Sequence, residues 1–559
     1  GAGAGHELLF ALRMTQEVNP PIPHHATPIF LVEPELEGFV LLLHLHDLGA
    51  ELGSGRLFCF VGEGALTAWE AFWREERARP PLAMLAVPGR EAVGEAFLVA
   101  LTRVQRENHL LRQSLQGEVD RAYAARTVEA RRGMGNHPGA LRVMILSSRF
   151  TTYLQYSARD LREGFAALGA ETRLLMEPDA VGQLGPLAVT REVAAFRPDL
   201  VVLINHFRQG VWAGCFPPEL PVATWVQDVM PWILDPSPFN LGEEDYLFSF
   251  ASQWREGLFQ TPAYRGRKVG LLPVGINPRL YHPLPGVEKT VDLLCVSHLR
   301  PPEQTLEPFR RGGKPDFLYP GERAALGGGA MREEEMVRLY RGAADFLDGR
   351  SPFGVYHRYA HAETFEGLIR EILAETGFAD RWEAWSGLFY PTIASRLVME
   401  ILDQVKRQPV RYLVRHGIRP ALFGNHWGSY PDLAPFARGT AENGAVLNEW
   451  INRSRICLNN SPGTGLHMFT VEVLGAGGFL LSREIPPAYD TMPLAYCLKP
   501  GEEAVMFRES EDLLERVRYF LEHDEEREEM ARRGHGRAMA TLTYDKLALE
   551  MLRSVGEGP

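Results

Sequence analysis

The chain has 559 residues, of which 45% are hydrophobic and 23% charged, values typical of a globular protein and far from those of disordered or fibrous chains. A chain of this length is too long to fold around a single hydrophobic core, so we expect about three or four domains. The net charge is -12, whereas proteins that bind nucleic acid or an anionic membrane usually carry positive charge, so neither is expected as a partner.

The five cysteines are scattered singly through apolar surroundings, without a CxxC pair. This usage is typical of reduced, buried thiols. No charged-then-apolar signal segment follows the opening GAGAG, and no apolar stretch reaches about 20 residues free of charge. We therefore expect a cytoplasmic protein without a membrane span.

Residues 1–115 alternate strand-like and helix-like pieces and predict a small N-terminal α/β accessory domain. The pieces lie at 28–32, 38–52, 56–61, 65–76 and 82–87. Residues 116–138 are rich in charge, lack a wide apolar face and end in GMGNHPG, which indicates a helical linker.

Residues 139–285 predict a Rossmann-like domain, because the apolar run LRVMIL (141–146) is followed by a polar loop and a helix. More short apolar runs of the kind that buried parallel strands show follow at 172–176, 200–204, 222–226, 246–250 and 270–274.

Residues 286–540 predict a second Rossmann-like domain, beginning with a strand at 291–296 and interrupted by a mostly helical insertion over about 303–414. The remaining strands are expected at 420–423, 456–459, 479–482 and 495–498. We expect the helix over 541–559 to cross back to the first Rossmann-like domain. The predicted fold class is therefore α/β, with two facing Rossmann-like domains, an extra N-terminal domain and a helical insertion.

The most informative segment is RSRICLNNSPGTGLHMFTVEVLGAGGFLLS, residues 453–482, which predicts strand, glycine loop, helix, double glycine and strand. Gly463 and Gly465 tolerate positive φ, so the loop can turn backbone N–H groups toward an anion at the positive end of the helix. A diphosphate fits such a place. Alternatively, the glycines only permit close packing.

Glu472 lies in this helix among Val471, Val473 and Leu474, and a carboxylate buried there needs hydrogen-bond donors. The two hydroxyls of a ribose would supply them. Alternatively, Glu472 lies on an exposed face or pairs with an arginine.

This segment resembles the C-terminal domain of the CgeB-like glycosyltransferases, a group with the two-Rossmann GT-B architecture. Their pattern S-K-I-x-L-N is matched by SRICLN (454–459), and N-x-R-x-F-E-A-x-A-C-G-G by HMFTVEVLGAGG (467–478). The resemblance covers roughly the last 140 residues, including LEHDEEREEMARRG (521–534) and the Thr-Tyr that follows. It implies transfer of a sugar, of the hexosyl type, from a nucleoside-diphosphate sugar bound by the second domain.

The resemblance implies a donor-binding set made of Asn460, Ser461, Gly463, Thr464, Gly465, His467, Thr470 and Glu472. The turn FGNHWG (423–428) resembles the turn that covers the nucleotide base in these enzymes and adds Gly424, Asn425 and Trp427, although Trp427 could equally pack in the core. LLPVGINPRLYHP (271–283) resembles the stretch where GT-B chains cross between domains.

Two residues depart from the family pattern. Phe469 replaces an arginine, and Thr464 replaces an acidic residue. Phosphate contacts are therefore expected from backbone amides, from His467 or from an arginine elsewhere in the chain. His467 would donate a ring N–H or add positive charge, unless it is a capping or core histidine.

In the first Rossmann-like domain, Asp228 and His206 each follow a predicted strand, where side chains of an open sheet meet the ligand crevice. Asp228 could act as general base for an acceptor hydroxyl, with His206 as a second catalytic candidate. The polar loop after the first strand adds four candidate contacts to the acceptor substrate: Ser148, Arg149, Thr151 and Thr152. Each of these residues has a structural alternative, such as capping a helix.

No Asp-x-Asp pair or zinc-ligand spacing occurs, so we expect neither a metal nor a cofactor beyond the donor substrate. His44 and His46 alone do not predict a metal site.

The leading prediction is a metal-independent glycosyltransferase. A nucleotide-sugar epimerase on the same architecture and a non-catalytic sugar- or protein-binding scaffold are the alternatives. The segment PIFLVEPELEGFVLLLHLHDL (28–48) and RLFCFVG (56–62) resemble the leading domain of the Maf-type flagellin glycosyltransferases. This implies a macromolecular acceptor: a protein such as flagellin, or else a surface glycan.

Overall fold

The computed structural model describes residues 5–16, 28–53, 55–76, 81, 84–85, 87, 89, 91–126, 134–149, 152–177, 182–228, 240–313, 317–360, 362–388 and 394–557. The chain divides into two compact units. The first consists of Gly1–Phe250, Trp254–Leu272 and Tyr544–Pro559. The second consists of Ala251–Gln253 and Pro273–Thr543. In the part of the chain just given, no helix is long and apolar enough to cross a membrane.

The N-terminal part of the first unit holds two parallel strands, β1 (Ile29–Glu33) and β2 (Leu57–Val61). Its helices are α1 (His6–Gln16), α2 (Leu36–Leu45), α3 (Gly49–Gly53), α4 (Ala65–Arg74) and α5 (Glu91–Tyr123). The expected break between domain and linker at 115/116 falls inside α5, which runs unbroken for 33 residues. One end of α5 packs on Trp69 and Trp73 through Phe97 and Val104, and its other end buries Val119 and Tyr123 against the larger sheet.

That larger sheet has six parallel strands in the order β4-β3-β5-β6-β7-β8. Their bounds are β3 Arg142–Leu146, β4 Glu171–Leu175, β5 Leu200–Ile204, β6 Val222–Val226, β7 Tyr246–Ser249 and β8 Lys268–Leu271. β5 and β6 are buried at every position, as strands covered on both faces must be. The covering helices include α6 (Thr152–Ala167) and α7 (Pro186–Phe196).

The C-terminal helix belongs to the first unit, where its apolar face packs on α6. Gly164 of α6 permits this approach, because a β-carbon there would collide with the Tyr544 carbonyl oxygen. The C-terminal helix, α20, spans Tyr544–Glu557, and a short helix, α8, spans Gln253–Glu256.

The second unit holds five parallel strands in the order β10-β9-β11-β12-β13. They are β9 (Val291–Val296), β10 (Pro420–Phe423), β11 (Ser454–Asn459), β12 (Leu480–Arg483) and β13 (Val505–Phe507). Helices α16 (Ala445–Asn452), α17 (Met468–Gly475), α18 (Ser510–Glu522) and α19 (Asp524–Thr541) surround this sheet. The α/β class, with a Rossmann-like parallel sheet in each unit, is confirmed.

A helical insertion separates β9 from β10 and has a hydrophobic core of its own. It comprises α9 (Glu307–Arg310), α10 (Pro320–Gly327), α11 (Glu333–Asp348), α12 (Pro352–Tyr359), α13 (Ala362–Glu375), α14 (Trp382–Leu388) and α15 (Ala394–Arg415). Buried ion pairs from Glu400 and Asp403 to Arg407 stiffen α15 where it returns to the sheet. This return brings the middle of α15 close to the end of β9, since the Arg300 N–H donates to Asp403 at 2.9 Å.

Candidate functional site

The carboxyl ends of β9 and β11 form the switch point of the second sheet, because β10 lies on one side of β9 and β11 on the other. Ligands of open α/β sheets bind in the crevice at such a point. Polar segments follow all three strands: residues 297–300 after β9, 424–427 after β10 and 460–467 after β11. The site is therefore described from these three loops and the helices that touch them.

The glycine loop after β11 does not have the backbone conformation that the sequence suggested. Neither Gly463 nor Gly465 has a positive φ. Both are instead places of close approach: a β-carbon would lie 2.8 Å from the Tyr356 hydroxyl at Gly463, and 3.0 Å from the Leu494 backbone nitrogen at Gly465. Lack of a side chain, and not left-handed backbone, is what these positions require.

Several N–H groups of this loop already have acceptors within the protein. The Gly465 N–H donates to Asp490 at 2.9 Å, the Leu466 N–H to the Met492 carbonyl at 2.8 Å, and the Ser461 N–H to Asn459 at 3.2 Å. The expectation that these amides would face an anion is wrong for these three residues. Residues 490–492 instead hold the loop in place.

The helix that follows the loop keeps its N-terminal amides available. His467 is the N-cap of α17, and its side chain makes no capping hydrogen bond to the helix. The first amides of an α-helix have no partner within it and carry a partial positive charge. Thr470 is buried, and its hydroxyl donates to the Gly465 carbonyl at 3.0 Å, so it fixes the loop against the helix. An anion could bind at this end of α17.

Glu472 is buried and is held by donors that the sequence analysis did not identify. Its Oε1 accepts hydrogen bonds from the Tyr281 hydroxyl at 3.0 Å and from the Asn443 amide at 2.8 Å. Asn443 and the Gly444 N–H also donate to the Tyr281 oxygen, at 2.7 and 3.0 Å. Protein groups therefore compensate for the burial of this carboxylate, and its contact to a ribose remains a prediction.

Five basic residues, which we call the cationic cluster, surround the switch point: Arg300, Lys406, His298, His426 and His467. Lys406 comes from α15, and its Nζ donates to the His298 carbonyl at 3.1 Å. Asp403 raises the pKa of Lys406 through its charge, but within the described residues no carboxylate lies at ion-pair distance from Lys406 or from the Arg300 guanidinium. The cluster thus has a surplus of positive charge.

The electrostatics of the cluster follow from this surplus. Desolvation, followed by the charge of Arg300, lowers the pKa of Lys406. Although the His298 and His467 side chains reach solvent, the surrounding protein and the charge of Lys406 lower the pKa of both rings, that of His467 to about 4. Both rings are therefore neutral near pH 7, so His467 adds an N–H donor and not a charge.

His298 has a defined tautomer. The Asn425 backbone N–H can only donate, and it lies 3.0 Å from His298 Nδ1. Nδ1 is therefore the acceptor, and the ring proton is on Nε2, where it is available to a ligand. Asn425, predicted as a ligand contact, positions this histidine.

The other predicted residues near the switch point have structural contacts. Trp427 is fully buried, and its indole N–H donates to the Ser297 carbonyl at 2.6 Å, so its ring packs in the core and not against a base. Gly424 has a φ of 121° and lies against the same Ser297 carbonyl, leaving no space for a β-carbon. Asn460 is buried and donates to the Lys406 carbonyl at 2.7 Å, which ties the loop to α15. The Thr464 hydroxyl oxygen is buried and has no hydrogen-bond partner among the described residues.

In the first unit, Asp228 lies just after β6, and its carboxylate accepts a hydrogen bond from the Asn205 amide at 2.7 Å. Burial raises the pKa of Asp228, partly offset by that hydrogen bond. Asn205 has a positive φ of 56° and also accepts from the Gln227 N–H at 2.8 Å, so it joins the ends of β5 and β6. A carboxylate with a raised pKa at this edge of the sheet suits a general base.

His206 follows Asn205, and its ring packs edge-on against Trp212 at 4.6 Å. Burial lowers the pKa of His206 to about 4, so the ring is neutral at pH 7. In the loop after β3, the Arg149 N–H donates to Glu177 at 2.9 Å and the Ser148 hydroxyl to the same carboxylate at 3.5 Å. Thr151 lies outside the described residues, and Thr152 begins α6.

The sequence analysis missed Arg300, Lys406, His298 and Asp490. Arg300 and His298 directly follow a strand that had been predicted, so the strand-end argument used for Asp228 could have found them. Lys406 gave no local signal, because the helical insertion separates it from β9.

Comparison with protein families identifies residues 398–553 as a match to the family model described as "Glycosyl transferase-like". This segment covers β10 to β13, Lys406, the glycine loop and α17. The glycosyltransferase-like segment thus lies mostly in the second unit and extends into α20 of the first. Comparison with curated proteins found no significant match.

Among solved structures, the chain is similar to the sucrose-phosphate synthase of Thermosynechococcus elongatus, with 12% identity over 74% of this chain and 97% of that chain and a TM-score of 0.39. It is also similar to Anabaena Alr3699/HepE in complex with UDP and glucose, with 8% identity over 75% and 100% of the two chains and a TM-score of 0.38. A glycosyltransferase from Rickettsia africae gives 8% identity over 75% of this chain and 99% of that chain and a TM-score of 0.38. TM-scores of this size do not establish a shared fold.

Proposed function

We propose that this chain is a glycosyltransferase of the GT-B kind, which transfers a sugar from a nucleoside-diphosphate sugar to an acceptor hydroxyl. The observation that carries the proposal is the cationic cluster at the switch point of a glycosyltransferase-like domain. Lys406 and Arg300 have no carboxylate at ion-pair distance among the described residues, and they lie where a Rossmann-like sheet binds its ligand. A diphosphate would neutralise them.

In the proposed reaction, the acceptor oxygen forms a bond to the anomeric carbon while the bond from that carbon to the donor's β-phosphate oxygen breaks. The diphosphate leaves with additional negative charge, which Lys406, Arg300 and the amide end of α17 would stabilise. We propose that these groups perform the role that a metal ion performs in other transferases. The neutral rings of His298 and His467 would donate N–H hydrogen bonds to the phosphate oxygens.

The proton of the acceptor hydroxyl must go to a base, and we propose Asp228 for this role. Its pKa is raised by burial, which brings it nearer the range where a carboxylate removes a proton efficiently. Glu472 is proposed to contact the ribose of the donor. We further propose a macromolecular acceptor, either a protein such as flagellin or a surface glycan, a hexosyl donor and a cytoplasmic location.

The test is an incubation of the chain with UDP-, GDP-, CMP- and TDP-sugars, with and without a chelator, followed by chromatography of the products. Release of the nucleotide, unaffected by the chelator, supports the proposal. An epimerised nucleotide sugar as the product would support the epimerase alternative. Absence of turnover and of binding for every nucleotide would leave only the scaffold.

A further inference from the structure

Helix α2 has the sequence LEGFVLLLHL and is apolar on almost every side, yet it buries only Leu42. Leu36, Val40, Leu41, Leu43 and Leu45 are each between 43 and 58% exposed. A helix that is hydrophobic all round is normally buried, and large exposed apolar patches on proteins mark interaction sites. Among the described residues, these side chains of the helix are therefore only partly covered on its outer side.

The neighbouring helices add further exposed apolar side chains. α1 packs into the same small core as Leu42 and exposes Phe10 and Met14, and α3 exposes Leu52. Taken at roughly 200 Å² for a fully exposed large apolar residue, the eight half-exposed side chains present on the order of 800 Å². A stable interface of standard size needs about 800 Å² from each partner.

The order of residues in α2 is complementary to itself. At 100° per residue, Leu36, Val40 and Leu43 form one exposed row, and Leu41 and Leu45 form another. Glu37 and His44 lie between the two rows, near opposite ends of the helix.

In an antiparallel pair of α2 helices, related by a twofold axis between positions 40 and 41, Leu36 would oppose Leu45 of the second copy. In the same pair, Glu37 would oppose the second copy's His44. The helix dipoles are then opposed, and the two Glu37 carboxylates lie at opposite ends of the pair, with leucine contacts between them. A parallel pair would place Glu37 against Glu37. Closed twofold dimers with such self-complementary surfaces are the commonest assemblies of soluble proteins.

We propose that α2, with the adjoining exposed residues of α1 and α3, is the surface through which two copies of this chain associate, with their α2 helices antiparallel. This inference is independent of the proposed enzymatic function. It commits to a second copy as the occupant because the area and the Glu37–His44 arrangement both fit one.

The test is sedimentation velocity of the full chain over a concentration series. The wild type should sediment as a species of twice the 62.7-kDa chain mass. Leu41→Glu should weaken association by at least about tenfold, because it places two carboxylates close to the twofold axis. Leu41 is half exposed, so the variant should keep the wild-type circular dichroism spectrum. Val446→Glu, a matched change on an exposed residue of α16, should leave the dimer intact.

A charge swap tests the direction of pairing. The double variant Glu37→Lys with His44→Glu should strengthen an antiparallel dimer, because the introduced lysine then faces the introduced glutamate of the second copy, whereas a parallel pair would bring like charges together and weaken. A wild type that is monomeric at every concentration overturns the proposal, since the cover would then be another part of the chain or another protein. A dimer that persists in Leu41→Glu also overturns it.

Discussion

Replacing Lys406 by Met should separate the affinity for phosphate from the affinity for nucleoside. Met keeps most of the apolar stem of Lys but removes its charge, which no carboxylate of the described residues reaches at ion-pair distance. A hydrogen bond from a charged group contributes about 1.5–3 kcal/mol, so a nucleoside diphosphate should bind about 10- to 100-fold more weakly. The matching nucleoside, which lacks phosphates, should bind as it does to the wild type. Isothermal titration with the best-bound nucleotide measures both.

The same variant should make the unliganded protein more stable. Desolvation and Arg300 lower the pKa of Lys406 in the folded state, so its charge costs folding free energy throughout the pH range below that pKa, including pH 7. Removing this cost should raise the melting temperature of the unliganded protein. Lys499→Met, at an exposed lysine paired with Glu502, is the control and should change neither property. Equal loss of nucleoside and diphosphate affinity in Lys406→Met would refute the assignment of the cluster to phosphate.

Three further predictions concern individual carboxylates. Burial raises the pKa of Asp490 to about 6, so the stability that this side chain contributes is full below the unfolded pKa near 4 and is lost as the pH rises through 6. Asp490→Asn should therefore stabilise the protein at pH 7.5 by on the order of 2 kcal/mol. Chemical denaturation should show that this gain in stability vanishes toward pH 4. A gain that is the same at both pH values would contradict this. Glu472→Ala would deprive two buried donors of this acceptor at a cost of about 1–3 kcal/mol, so Glu472→Gln is the better probe. Glu472→Gln should keep the melting temperature and weaken ribonucleotide binding. Unchanged ribonucleotide affinity in this variant would remove Glu472 from the site. Asp228→Asn should lower the turnover number by about 10²- to 10⁴-fold with unchanged donor affinity, and wild-type turnover would exclude it as the base.

Much of the architecture could be predicted because buried parallel strands have a local signature. The runs at 291–296 and 420–423 coincide with β9 and β10, and the helical insertion between them was also expected. The position of the glycine loop was predicted correctly, but the partners of its backbone amides were not. Whether Gly465 offers its amide to a ligand depends on Asp490, and nothing near Gly465 in the sequence indicates that contact.

The cationic cluster shows why a site can be harder to predict than its fold. Lys406 reaches His298 only because α15 returns to the sheet after an insertion with its own core. Glu472 was correctly expected to be buried and to need donors, but Tyr281 and Asn443 supply hydrogen bonds that were assigned to a ribose. In both cases the missing information is a contact between residues distant in the sequence.

The most direct test of the central claim is hydrogen–deuterium exchange of the full chain with and without a saturating nucleoside diphosphate. A donor diphosphate at the switch point should slow exchange in two segments, residues 298–300 after β9 and 467–470 at the start of α17. Lys406→Met should lose this protection at the same nucleotide concentration, whereas Lys499→Met should keep it. Nucleotide binding without protection in either segment would contradict the account.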